Sequence, residues 1–300
     1  MIAFIEEHHE VFGVGPICRV LRIAPSTWYA HLAVRGDPSR ASARAQQDAT
    51  DKADIQRVFD ESGRRYGARK VWHALCQEDK DIARCTVERL MKQMGIQGLV
   101  RGKKVTTTCP DPSQPCPDDK VDRNFTAPAP NVLWVSDFTY VSTWQGMVYV
   151  AFVIDVFARR IVGWRVSTSM TTEFVLDALN QAICQRQPPR AGLIHHSDRG
   201  AQYLSIKYTE RLTQEGIDPS VGSVGDSYDN ALAESIIGLF KTEVINFMGP
   251  WKSVAQLEWE VCKWVDWYNS KRLHSAIRYQ TPKQAEETFW SDIETTQKAA

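Results

Sequence analysis

The sequence carries no net charge, because 36 Lys and Arg balance 36 Asp and Glu. That disfavours a protein that coats nucleic acid through bulk positive charge, while the balance conceals local basic runs such as Arg64, Arg65, Arg69 and Lys70. Long apolar runs are also missing. The longest, MVYVAFVI at 147–154, is far short of the ~20 residues a bilayer-spanning helix needs and reads as a buried strand. No signal peptide opens the chain, and its seven cysteines are odd in number with no regular framework, so a reducing cytoplasmic setting is expected rather than a disulfide scaffold. Zinc spacing is lacking as well. Six residues separate Cys109 from Cys116 with no nearby histidine pair, and His8 and His9 have no accompanying CxxC.

What the sequence does have is ordinary soluble composition, 43% apolar and 24% charged, over 300 residues, enough for two domains. Residues 1–34 read as short helices: Ile2 to His9, a segment opened by Pro16, and one capped by Ser26. They suit either a helix-turn-helix or a small helical hairpin packed on its neighbours. A polar helix from about Ser42 to Ser62 leads into a second trihelical unit over 62–104. There Val71, Leu75, Val87, Leu90 and Met91 supply buried faces. Arg84, Arg89, Lys92, Arg101, Lys103 and Lys104 face a single acid, Glu88. That pattern fits a recognition helix in a major groove with its tail on phosphates, or else a solvated charged face.

Residues 105–130 contain six prolines and no periodicity, and read as a linker. A core over 131–290 follows. Strand-like runs at 132–141, 147–158 and 160–167 with short connections predict an antiparallel meander. A helix at 172–186, a strand at 192–197, a helix at 204–216, a short strand at 219–222 and another helix then predict a mixed α/β sheet. Residues 253–271 form a helix with Leu257, Val261, Trp264 and Tyr268 on one face. Arg272, His274 and Arg278 after it are possible DNA contacts, Pro282 opens a last helix, and residues 292–300 are expected to be disordered.

The stretch that carries chemistry is the helix after the last strand, with Asp229 as its expected N-cap. At about 100° per residue, Leu232, Ile236 and Leu239 share one face, while Asn230, Glu234, Gly238 and Lys241 share the other. An acid there seeks partners, and two aspartates in strand-like runs offer themselves: Asp137 in NVLWVSDFTYV and Asp198 in GLIHHSDRGAQY. Sixty residues lie between the aspartates and thirty-five between Asp198 and Glu234. With Lys241 two turns beyond the glutamate, Asp137, Asp198 and Glu234 resemble the D, D(35)E and K/R signature of DDE transposases and retroviral integrases. The words HSDRGAQY, DNALAES and WYNSKRLHSAIRYQTP narrow the likeness to OrfB-type products of bacterial insertion sequences.

The resemblance covers about 131–285. It implies a ribonuclease H-like catalytic core behind an all-α helix-turn-helix DNA-binding region, and a cytoplasmic, nucleoid-associated transposase that cuts DNA at element ends and transfers the freed 3′-hydroxyl. It also implies Asp137, Asp198 and Glu234 as ligands of two Mg²⁺ or Mn²⁺ ions when DNA is bound. Element ends and target DNA would be partners, with assembly as a homo-oligomer on DNA and an upstream reading-frame product as a further partner. Hard divalent cations take carboxylate oxygens, and a pair of them can serve both the attacking and leaving oxygens of an in-line displacement. Arg199, Gly200 and Gln202 then lie beside DNA, Lys241 on a phosphate next to the metals, and Asn230 on the same helix face. Residues 222–225 suit a lid completed on DNA. His196 reads as an orienting or packing residue, and Asp155 in VIDVF as a structural carboxylate. Two other readings stay open: a structure-selective nuclease on the same fold, and a catalytically silent helix-turn-helix regulator.

Overall fold

A computed structural model describes residues 1–100, 118–198, 200–222 and 230–299. The chain divides into two compact units, Met1–Gly98 and Leu99–Ala300.

The first unit is all helix. α1 (Ile2–Phe12), α2 (Val14–Leu21) and α3 (Pro25–Gly36) close on Ile5, Ile17, Cys18 and Trp28. Pro25 occupies the first turn of α3, where its missing N–H costs nothing, so Ala24 rather than Ser26 stands at the cap. α4 (Ala43–Glu61) starts at Ser42, whose Oγ accepts the Ala45 N–H at 3.2 Å. It packs with α5 (Ala68–Gln77) and α6 (Arg84–Gln93) around Ile55, Val58, Phe59, Val71, Leu75, Val87, Leu90 and Met91. Among the described residues of this unit, two helices follow residue 62. The second three-helix unit therefore recruits α4 as its first member, because α5 and α6 each bury one stripe and need a third surface to close the core.

The second unit is built on a five-stranded sheet in the order β3-β2-β1-β4-β5. β1 (Leu133–Thr143), β2 (Gly146–Asp155) and β3 (Arg160–Ser167) form the antiparallel meander, with Asp137 opposite Phe152. The chain then crosses over through α7 (Thr172–Arg186) to β4 (Ile194–Ser197), which runs parallel to β1. α8 (Ile206–Gln214) leads to β5 (Asp218–Val221), parallel to β4. This is the mixed sheet with helices on both faces expected of a ribonuclease H-like core.

One face of the sheet carries α7 and α8 on Trp134, Ala151, Val153 and Val162. A side chain at Gly163 would meet the Ala178 carbonyl oxygen at 2.2 Å, so only glycine lets β3 lie this close to α7. The other face, through Leu133, Val135, Phe152 and Ile154, carries α9 (Ala231–Phe240) and α11 (Val254–Ser270). Between those helices the chain makes a π-turn, Lys241–Ile245, and the short α10, Asn246–Met248. The last helix, α12 (Pro282–Ala299), begins at Pro282 as expected.

Three expectations need correction. α9 starts at Ala231 with Asn230 in the cap position, one residue later than expected, and Asp229 lies outside the described residues. Residues 292–299 continue α12 rather than forming a disordered tail. Residues 118–127, expected within the linker, run beside β5: the Lys120 N–H donates to Ser220 Oγ at 2.9 Å, and Val121, Phe125 and Ala127 join the core.

Candidate active site

Strand parity brings the two aspartates together. On β1, Leu133 and Val135 point to the α9 face, and Asp137 continues that set. On β4, Ile194 packs on the same face, and His196 and Asp198 keep its parity. Ser136 is paired with Ser197, so the next residues along the two parallel strands are Asp137 and Asp198. Asp198 follows the carboxyl end of the short β4, which brings it beside Asp137 in the middle of the longer β1.

α9 brings the third carboxylate. Glu234 lies in its first turn, half-buried, while Leu232, Ala233, Ile236, Ile237 and Phe240 hold the helix on the sheet. Asn230 fixes the helix start. Its side-chain amide donates to the Ser136 carbonyl oxygen at 2.9 Å, one residue before Asp137, and the residue is only 5% exposed. Asn230 is therefore not the DNA contact the sequence suggested; it ties α9 to β1. Its Oδ1 is buried and has no hydrogen-bond partner.

The electrostatics report the convergence. Burial, then the neighbouring Asp198, pushes the Asp137 carboxyl well above the usual carboxylate range; a hydrogen bond from the Phe138 N–H opposes this, Glu234 adds to it, and Lys241 opposes it. Burial also raises Asp198, against the Gly200 N–H that donates to its Oδ1 at 3.2 Å, with Glu234 raising it further. A side chain at Gly200 would approach that same Oδ1 at 3.0 Å. Among the described residues no three His, Cys, Asp or Glu side chains form a group ready to hold a metal ion, so the three carboxylates converge without being closed on one.

Lys241, at the start of the π-turn, reaches back over β1, with its Nζ 5.7 Å from the centre of the Tyr140 ring. The Gln202 side-chain amide lies 3.5 Å from the Met170 carbonyl oxygen, and its Oε1 is close to Gly200. Arg199 lies outside the described residues.

Several residues beneath these acids are not singled out by the sequence reading. His195 hydrogen-bonds Ser136 Oγ at 2.7 Å and Tyr208 Oη at 3.1 Å through Nε2, and burial pulls it down to about 3, so it stays neutral. Tyr203 is 3% exposed, and its hydroxyl has no hydrogen-bond partner. Burial, with Tyr208, Asp137 and Asp198 nearby, raises it well above the ordinary phenol range. The HH doublet in a strand was the available signal, since alternate residues must face opposite sides of the sheet. His196 points the other way, to Ser220 Oγ at 2.9 Å, in keeping with an orienting role.

Other expected contacts are spent elsewhere. Asp155 is fully buried, accepts the Asn131 and Phe157 N–H groups at 2.7 and 3.0 Å, and meets Arg186, which pairs with Glu286. Arg272 and His274 are buried rather than offered to DNA: Arg272 pairs with Glu243 at 2.6 Å and contacts His274 Nδ1 at 3.2 Å. In the first unit Arg89 makes a two-pronged pair with Asp48 at 2.8 and 2.7 Å, tying α6 to α4, which removes it from the basic face. Arg84 is exposed beside Glu88 at 3.2 Å, and Lys92 is exposed. Arg101, Lys103 and Lys104, like Cys109 and Cys116, lie outside the described residues. Among the described residues no helix is long and apolar enough to cross a membrane.

Comparison with known proteins finds the integrase core domain at residues 127–227, a second integrase core domain model at 215–282, and an HTH-like domain at 46–104. The transposase for insertion sequence element IS629 of Shigella sonnei is 52% identical over 98% of this chain and 98% of its own length. The transposase for insertion sequence element IS3411 of Escherichia coli is 54% identical over 63% of this chain and 78% of its own. Transposase InsF for insertion sequence IS3A of Escherichia coli K12 is 33% identical over 81% of this chain and 83% of its own.

Proposed function

The chain belongs to the insertion-sequence transposases and is a polynucleotidyl transferase with an integrase core, and from that premise we propose that Asp137, Asp198 and Glu234 are its catalytic metal ligands. In this reading they serve strand cleavage at the element ends and attack of the freed 3′-hydroxyl on a second phosphodiester, with no covalent enzyme intermediate. The observation that carries it is electrostatic: three acids from β1, β4 and α9 converge on one cleft, and each aspartate is held above its usual range by burial and by the other acids. Folding gains nothing from such repulsion, and a hard cation relieves it.

The donor set is all carboxylate oxygen, which fits Mg²⁺ or Mn²⁺. Asp137, Asp198 and Glu234 would together hold them. When bound, the ions supply activation of the attacking oxygen and charge relief at the leaving one. The chain's own residues then position the substrate. Lys241 holds a phosphate next to the scissile one, Gly200 brings backbone close to the strand, Gln202 lines the approach, and Arg199 is assigned to the same DNA. Asn230 and Ser136 keep α9, and with it Glu234, in register with β1.

DNA is the partner of the first unit too. Arg84 and Lys92 on α6, continued by Arg101, Lys103 and Lys104, are assigned to phosphates, and residues 62–104 to the DNA-binding region. Assembly of several copies on DNA, and pairing with an upstream reading-frame product, belong to the same reading.

The test is cleavage and joining of linear DNA bearing the native element ends. Wild type should act in Mg²⁺ or Mn²⁺ and fail in Ca²⁺, whose looser shell does not enforce the in-line geometry. Asp137→Asn, Asp198→Asn and Glu234→Gln should each abolish both steps while remaining folded. Activity of any one of them at the wild-type level, or equal rates in Ca²⁺ and Mg²⁺, refutes the assignment.

A further inference from the structure

β1 outruns its parallel partner. Its pairing with β4 ends at Ser136, while its pairing with β2 continues to Thr143, so residues 137–143 form an edge on one side. Along that edge side chains of one parity leave the core. Val141 and Thr143 are buried, but Tyr140 is 46% exposed and Trp144, in the turn beyond, 70%. Met147, cross-strand from Ser142, is exposed beside them.

Both rings carry a lysine. Lys241 Nζ lies 5.7 Å from the Tyr140 ring centre, and Lys252 Nζ lies 5.6 Å from that of Trp144. The turn itself is anchored: the Trp144 N–H donates to the Trp251 carbonyl oxygen at 3.0 Å, and the Val254 N–H donates to Gln145 Oε1 at 3.3 Å. Two exposed aromatic rings, each flanked by a cation and held on a braced hairpin, combine the two elements of a single-strand nucleic-acid platform: π-faces on which bases stack and charges for the backbone.

From these observations we infer that Tyr140 and Trp144, with Lys241 and Lys252, form a binding site for unpaired bases of the DNA strand leading away from the cleft. The inference rests on the transposase reading above and deepens it: the preferred substrate is an element end whose base pairs are opened beside the scissile phosphate. Tyr140 is three residues from Asp137, roughly 10 Å along an extended strand, about the rise of three stacked nucleotides. The opened bases therefore lie within the first few nucleotides of the cut.

The experiment uses the full chain with two DNA ends of identical sequence, one fully paired and one with its terminal three bases mismatched, the latter carrying 2-aminopurine at the third position. Wild type should bind the opened end more tightly and quench the 2-aminopurine. Tyr140→Ala combined with Trp144→Ala should lose roughly tenfold or more of affinity for the opened end, as loss of base stacking predicts, lose the quench, and change affinity for the paired end little. Trp144→Phe should keep most of both signals, and because both rings are exposed the variants should fold as wild type by circular dichroism. Equal affinities of wild type and double variant for the opened end overturn the inference. Equal losses on both ends do so too, as does a change in self-association by light scattering without a change in DNA preference. Wild type that cuts element ends while the double variant matches it in binding overturns only this inference; wild type that neither binds nor cuts them overturns the functional reading beneath it.

Discussion

The Lys241 ammonium sits 5.7 Å from the ring centre of Tyr140, and its charge helps hold down the Asp137 carboxyl three residues back along the same strand. Glu243 lies only two residues further along the chain. That acid is buried and engaged elsewhere: its oxygens accept from Arg272 and from the Trp264 indole N–H at 3.1 Å. Lys241 is exposed at the mouth of the cleft. Replacing it with alanine should cut strand joining by about tenfold or more, the range of one charge-assisted contact. Arginine should retain most activity and glutamate almost none. Indistinguishable joining rates for Lys241→Ala, Lys241→Glu and wild type at limiting DNA would show that the lysine does not meet the substrate.

Asp137 sets a pH dependence of stability. Its folded-state pKa lies above its unfolded value, so its contribution is fully present below about pH 4, where both states hold the proton, and is lost as pH rises through the raised value. Asp137→Asn removes the ionised form. The variant should therefore melt above wild type at neutral pH without divalent cation, and the gap should close as pH falls toward 4. Added Mg²⁺ should also narrow it, by stabilising wild type alone. Parallel melting curves for the two proteins across pH 4 to 8 would contradict the repulsion inferred among the three acids.

Arg272 and Glu243 are both nearly inaccessible and paired at 2.6 Å across the turn that follows α9. Arg272→Ala leaves a buried carboxylate without its main partner and should cost roughly 3–5 kcal/mol in denaturant unfolding. Combining Arg272→Met with Glu243→Leu should recover much of that loss, since an apolar pair of similar volume needs no charge compensation. A single-variant cost below 1 kcal/mol would mean that water reaches the site.

In the first unit, Arg89 and Lys92 should separate cleanly. Lys92 is exposed, and Lys92→Ala should lower the slope of log binding constant against log salt by about one for duplex DNA. Arg89 is committed to Asp48, so Arg89→Ala should lower the melting temperature and leave the slope unchanged. The reverse pattern in salt titrations of the full-length variants would move α6's DNA face to the other side of the helix.

The sequence by itself determined the order of strands and helices in the core and drew attention to Asp137, Asp198 and Glu234. Each of those signals is local: a period of two or 3.6 residues, a turn, a carboxylate within a recognisable word. Parity even carried the two aspartates to one face once the strands were aligned. Only the tertiary structure decided which charged groups were free. Arg89 finds Asp48 from 41 residues away, and Arg272 finds Glu243 from 29 away. Asn230, on the expected face of its helix, turns inward because a carbonyl on β1, 94 residues earlier, needs its amide. Such pairings cannot be read from spacing, because a buried charge or amide is satisfied by whichever group the fold brings within about 3 Å, and the chain between them leaves no trace of that choice.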